Sequence, residues 1–155
     1  MSLLESMQSG SVTNLTIRPP ILCSRAVSVR DTIVKMREGR LGCAIIVDDD
    51  ARPLGIFTEA MLRQLLVSSV SVEDGIEGHM STNFPWVKAT DSVETVLDAL
   101  ETNNTRFLVV VDDHGTVVGL TGQKGLMEYI AELFPGEVMV QRVGGKGFSD
   151  QREGA

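Results

Sequence analysis

The chain has 155 residues, of which 14 are Lys or Arg and 21 are Asp or Glu, for a formal net charge of −7; this length suits one compact unit, or two small ones sharing a core. An acidic chain without a basic run has little with which to neutralise a phosphate backbone, which argues against a nucleic-acid partner. Its densest apolar runs, Leu41 to Val47 and Phe107 to Val111, fall far short of the ~20 residues that cross a bilayer, so no membrane span is expected.

From the N-terminus, Met-Ser-Leu-Leu-Glu-Ser carries neither a charged n-region nor an apolar h-region, which leads to the expectation of a cytoplasmic protein. Residues 1–11 lack a clear periodic pattern and are expected to be flexible, with poor order continuing to residue 14. Cys23 and Cys43 stand 20 residues apart with no metal or redox spacing, so two buried thiols are expected rather than a zinc site or disulfide.

Ser28 is placed to accept hydrogen bonds at a helix start; Val29, Ile33 and Met36 then share one helical face, and Gly39 offers a stop. Ala44 to Val47 is too short for a helix and rich in β-branched residues, as a buried strand would be. Asp48-Asp49-Asp50 supplies a turn, Leu54 to Phe57 a returning strand, and Leu62, Leu65 and Leu66 resume helical spacing. Ser68 to Ser81, rich in Ser, Gly and acids, reads as a linker with one helical turn.

The second half repeats this order. Asp91-Ser92 precedes Val93, Val96, Leu97 and Leu100, and Glu94 lies three residues beyond Asp91, the spacing of a capping box. Phe107 to Val111 is the buried strand, Asp112 to Gly115 the turn, and Val117 to Thr121 the return. Leu126, Tyr129, Ile130 and Leu133 mark a last helix, ended by Pro135-Gly136. Residues 136–155 form an extension, with Val138 to Val140 fit for one strand and a glycine-rich mobile tail after it.

The two halves align without a gap at an offset of 64 residues. Ser28-Val29 falls on Ser92-Val93, Val47-Asp48-Asp49 on Val111-Asp112-Asp113, Gly55 on Gly119 and Leu62 on Leu126. The apolar positions agree as well: Ile33 with Leu97, Met36 with Leu100, Ile45-Ile46 with Val109-Val110. A unit of this size exposes much of its sheet, so the two copies are expected to fold together.

Two tandem strand-helix-strand-strand-helix units, each with a Val-Asp-Asp turn, the first with a Gly-apolar-x-Thr step into its last helix, resemble a pair of CBS (cystathionine-β-synthase-type) domains, the assembly called a Bateman module. The resemblance covers residues 12 to 135 and implies an α+β fold of two β-α-β-β-α repeats related by a pseudo-twofold axis, with their sheets packed face to face. It sets repeats at 12–67 and 82–135, joined by a linker at 68–81. It also implies two clefts that take adenosyl ligands such as AMP, ADP, ATP or S-adenosylmethionine, a homodimer, and a regulated protein that the sequence does not identify.

The family's ligand motif runs Gly, apolar, any, Thr or Ser, two of any kind, Asp. Here Gly55 and Thr58 match in the first copy while Met61 stands at the Asp position; in the second copy Gly122 and Gly125 occupy both polar positions. The resemblance places Thr58 beside Thr105, Arg106 and Phe107 in one cleft, with Arg106 toward a phosphate. The opposite cleft would set Leu41, Gly42 and Cys43 beside Gly122 and Gly125, with Lys124 nearby.

Each residue also has a plainer explanation. Thr58 is fully accounted for as an N-cap, Arg106 as a solvated charge, and Gly122 and Gly125 either as a phosphate-approach surface or as a lost site. Gly144-Gly145-Lys146-Gly147 lacks the spacing and hydroxyl of a phosphate loop. His79 and His114 are isolated, and no set of residues forms a catalytic constellation, so no enzyme and no metal are expected. The alternative to a ligand-binding regulator is an interaction or dimerisation scaffold whose nucleotide motif has decayed.

Overall fold

Short polar side chains start all but the last α-helix of this chain, and β-branched runs too short for a helix become its strands. The computed structural model describes residues 2–133; the expected strand at Val138 to Val140 and the tail lie outside them. In chain order the elements are α1 (Leu3–Ser9), a 3-10 turn (Val12–Asn14), β1 (Leu22–Cys23), α2 (Val29–Gly39), β2 (Cys43–Val47), β3 (Pro53–Thr58) and α3 (Glu59–Leu66). A second 3-10 turn (Ile76–Gly78), β4 (Trp86–Lys88), α4 (Val93–Asn103), β5 (Phe107–Val111), β6 (Val117–Gly122) and α5 (Gln123–Leu133) follow.

The architecture is α+β, two repeats each of a three-stranded mixed sheet with helices. The sheets run β1-β2-β3 and β4-β5-β6, with the first pair parallel and the second antiparallel in each. Even the irregularity repeats: register shifts fall at Ile46/Val47 and at Val110/Val111, 64 residues apart.

The caps are local chemistry. Ser28 accepts from the Asp31 N–H at 3.1 Å, Thr58 from Met61 N–H at 3.3 Å and Ser92 from Thr95 N–H at 3.2 Å, each satisfying a free donor of the first turn. The expected Asp91–Glu94 box does not form. Asp91 instead accepts from Lys88 N–H at 2.8 Å, closing the turn before the helix, and Ser92 alone caps. Gly39 is the last residue of α2 rather than its stop; the left-handed position falls on Arg40 (φ 53°), matched by Asn104 (φ 46°) after α4.

Three apolar layers result. Ile45, Ile56 and Leu41 of the first repeat meet Val109, Val111, Val117 and Leu120 of the second, so the inner faces of the sheets share one cluster. Behind the first sheet lie Val29, Met36, Ile46, Phe57 and Ile76; behind the second, Val93, Val96, Leu108, Val110 and Leu126 with Met7, Val12 and Leu15.

The N-terminal residues expected to be flexible are therefore ordered, and the reason is tertiary. Val12 is fully buried in the core of the second repeat, as Ile76 of the linker is in the core of the first. The hydrogen bonds match at the same 64-residue offset. Val12 N–H donates to Asp91 O (2.8 Å) and Val93 N–H to Gly10 O (3.0 Å), while Ile76 N–H donates to Val27 O (2.7 Å) and Val29 N–H to Asp74 O (2.8 Å). Arg18 then pairs along the free edge of β6 at Leu120, and Ser81 along that of β3 at Ile56. Each repeat is closed by the segment that precedes the other.

Candidate functional site

Antiparallel pairing of β5 with β6 sets Phe107 opposite Gly122, which brings the residue before one strand to the end of the other. Gln123 N–H donates to Arg106 O at 3.2 Å, and a Cβ on residue 122 would collide with that same carbonyl oxygen. Glycine is required at 122 by this close approach. Its consequence is that α5 begins without a side-chain cap, unlike α2, α3 and α4, leaving donors of its first turn for another acceptor.

A cavity of about 230 Å³ lies over this helix start, somewhat below the roughly 300–1,000 Å³ of typical small-molecule sites. Its floor is Phe107, Leu120, Thr121 and Gly122, and Leu41 reaches in from the first repeat. Thr16 and Arg18 supply the wall from the N-terminal segment, held there because Thr121 Oγ1 donates to Thr16 O at 3.2 Å. Gly125 lets that segment cross: a Cβ there would stand 2.9 Å from Thr121 Oγ1 and 3.1 Å from Thr16 O. The motif's carboxylate position in this repeat is thus occupied by backbone.

Three cations, Arg18, Arg106 and Lys124, and one carboxylate, Glu128, line the cavity. None of the four takes part in an ion pair among the described residues. Cations gathered at an uncapped helix start can receive an anionic group through charge-assisted hydrogen bonds.

The sequence-derived site is divided by the structure. Arg106, Phe107 and Gly122 line this cavity together. Thr105 lines an adjoining groove of about 570 Å³ between α4 and α5, which Arg106 lines as well. Thr58 and Gly55 belong to the first repeat's sheet edge, where Thr58 caps α3 and Gly55 lies against Met80 and Ser81, within 2.8 Å of where a Cβ would meet the Ser81 oxygen. Of the expected grouping, Arg106 and Phe107 line this cavity, and neither Thr58 nor Gly55 is among its lining residues. Arg18, Thr16 and Glu128 escaped sequence reasoning; only the edge pairing of Arg18 with Leu120 and the helical spacing of Lys124 and Glu128 bring them in.

The remaining reactive candidates are structural. Cys23 and Cys43 are free and buried, and burial pushes the Cys43 thiol up to about 12, leaving it protonated and unreactive near neutrality. His79 Nε2 lies 3.2 Å from Asp74 Oδ2 within the linker. Among the described residues no group of three or more His, Cys, Asp or Glu is placed to hold a metal ion, and no helix is long and apolar enough to cross a membrane.

Comparison with known proteins fits this geometry. The CBS domain family model matches residues 12–68 and 72–132. An uncharacterized protein of Helicobacter pylori strain J99 is 30% identical over 120 residues, or 75% of this chain, and the chain spans only 34% of that relative's length. A CBS domain protein from Pyrobaculum aerophilum solved with AMP superposes with a TM-score of 0.68 at 20% identity, covering 78% of this chain and 98% of that one. The CBS domain pair of protein MJ0100, solved with 5′-methylthioadenosine and S-adenosyl-L-methionine, gives 0.67 at 24% identity, covering 82% and 97%.

Proposed function

This chain belongs to the CBS domain family, with two CBS domains in tandem, and from that premise we propose that it is a regulatory binding module, without turnover of its own, that holds an adenosine nucleotide by its phosphates in the cleft of the second repeat. The observation that carries this reading is the gathering of Arg18, Arg106 and Lys124 around one cavity in a chain of net charge −7. Similar folds accommodate AMP in one protein and methylthioadenosine or S-adenosylmethionine in another. Three cations against the single carboxylate of Glu128 favour AMP, ADP or ATP over S-adenosylmethionine, whose sulfonium brings further positive charge.

Because Leu41 belongs to the first repeat while Gly122 and Lys124 belong to the second, a ligand there prefers one relative arrangement of the repeats. That differential affinity is the means of passing occupancy to a partner protein. A homodimer through the helical faces is part of the same proposal. It is supported by Leu97, Leu100, Leu126, Met127 and Ile130 along the groove between α4 and α5, by the counterpart groove of about 260 Å³ between α2 and α3, and by the 59% exposure of Met127.

Titration calorimetry with AMP, ADP, ATP and S-adenosylmethionine tests the reading. One phosphate-bearing ligand should bind per chain, weakened about tenfold or more by Arg106→Ala, the value of a lost charge-assisted hydrogen bond. Silence across the four compounds from a stable dimer would overturn it in favour of an assembly scaffold.

A further inference from the structure

The N-terminal segment performs two tasks at once. Its first part is docked on the second repeat at sites that do not line the cavity: Met7 is buried in that core, Tyr129 Oη donates to Ser6 O at 3.4 Å, and Gln8 Nε2 donates to Glu94 at 3.2 Å. Gly10 passes so close to the Tyr129 hydroxyl that no side chain fits between them. Its last part is cavity wall. Thr16 O accepts from Thr121, Arg18 exchanges two backbone hydrogen bonds with Leu120 (2.8 and 3.0 Å), and both Thr16 and Arg18 face the cavity.

The equivalent segment for the first repeat is the linker, which contributes no cation at the matching place, where Ser81 pairs with Ile56. Residues 3–18 thus join a cation at the cavity to a helix docked outside it.

We infer that docking of α1 and occupancy of the cleft are linked, so that Met7 and Tyr129, which touch no ligand, are positioning residues that hold Thr16 and Arg18 in place. The inference rests on the nucleotide reading of the cleft and assigns that site its output: whatever adjoins α1 senses occupancy as a firmer or looser anchor. By reciprocity, a ligand that binds only the docked form must stabilise docking by the same factor with which docking favours the ligand.

Amide hydrogen exchange on the full chain, with AMP, ADP and ATP each as probe, measures this directly. For the nucleotide that binds, exchange in residues 3–10 should slow by about a hundredfold at a concentration of 100 times its Kd, the population factor for a ligand of the docked form alone. Tyr129→Phe should speed α1 exchange severalfold without nucleotide. Arg18→Ala keeps the backbone pairing, so it should leave nucleotide-free exchange unchanged while shrinking the nucleotide-dependent slowing, a separation that a merely structural role would not give. Binding with unchanged α1 exchange would overturn the linkage and leave the nucleotide reading standing. Failure of all three nucleotides to bind would overturn that reading and the linkage with it.

Discussion

Shifting the first repeat by 64 residues sets its cleft on that of the second and pairs Gly42 with Arg106, Ala60 with Lys124, Thr58 with Gly122 and Met61 with Gly125. Edge pairing, one residue out of that register, matches Ser81 with Arg18. The backbones agree down to the bulge, yet every cation of one cleft is a small neutral residue in the other. Glu59 does not enter this contrast: it lines the α2–α3 groove with Arg37 and Arg40, as its counterpart Gln123 lines the α4–α5 groove. Duplication preserved what packing needs, and the exposed positions diverged because core and caps place no demand on them.

The comparison rests first on both repeats being closed by the segment before the other. Ile76→Ala should cost about 2–5 kcal/mol in denaturant unfolding, as expected for a fully buried side chain; a loss below about 1 kcal/mol would mean that the linker is not core. A smaller effect separates capping from binding. Thr58→Ala should cost about 1 kcal/mol of stability and leave nucleotide affinity unchanged, since Thr58 is spent on the Met61 N–H. Loss of affinity would return the site to the first cleft.

The paired turns give a subtler contrast. Ala51 (φ 61°) and Gly115 (φ 81°) hold the same left-handed position, where a Cβ is disfavoured. Ala51→Gly should stabilise by up to about 1 kcal/mol and Gly115→Ala destabilise by a similar amount, read as opposite shifts in melting temperature. A shared sign would refute the equivalence of the turns.

Smallest is the acid response. Backbone hydrogen bonds from Arg52 to Asp48 and from Thr116 to Asp112 hold both carboxyls below their ordinary value of 3.8. A depressed folded value contributes stability above the unfolded value that is lost as pH falls through the folded one. Stability measured below about pH 4 should therefore fall less steeply in an Asp48→Asn, Asp112→Asn double variant than in the wild type. Equal slopes would show that the turns do not hold the charged form.

Periodicity and turn chemistry made the repeats legible, because strands such as Phe107–Val111 and caps such as Ser28 and Ser92 are set within a few residues. α1 was not legible: its seven residues bury Met7 and Ser6 against another repeat, and no pattern within the segment states that. The cleft was half legible. Gly122 could be nominated from the family's motif and Arg106 and Phe107 from the cleft the resemblance implies, but Arg18 enters only through a single isolated bridge 102 residues away, to Leu120. The glycines misled for a related reason, since Gly55 and Gly122 answer to close backbone crossings that a linear motif does not record.

The central claim is that one cleft of two is chemically competent. A crystal structure of the chain with whichever adenosine nucleotide binds tightest tests it most directly. The phosphates should lie among Arg18, Arg106 and Lys124 at the start of α5, with the Thr58 cleft empty; nucleotide beside Thr58, in place of that site or in addition to it, would contradict the account.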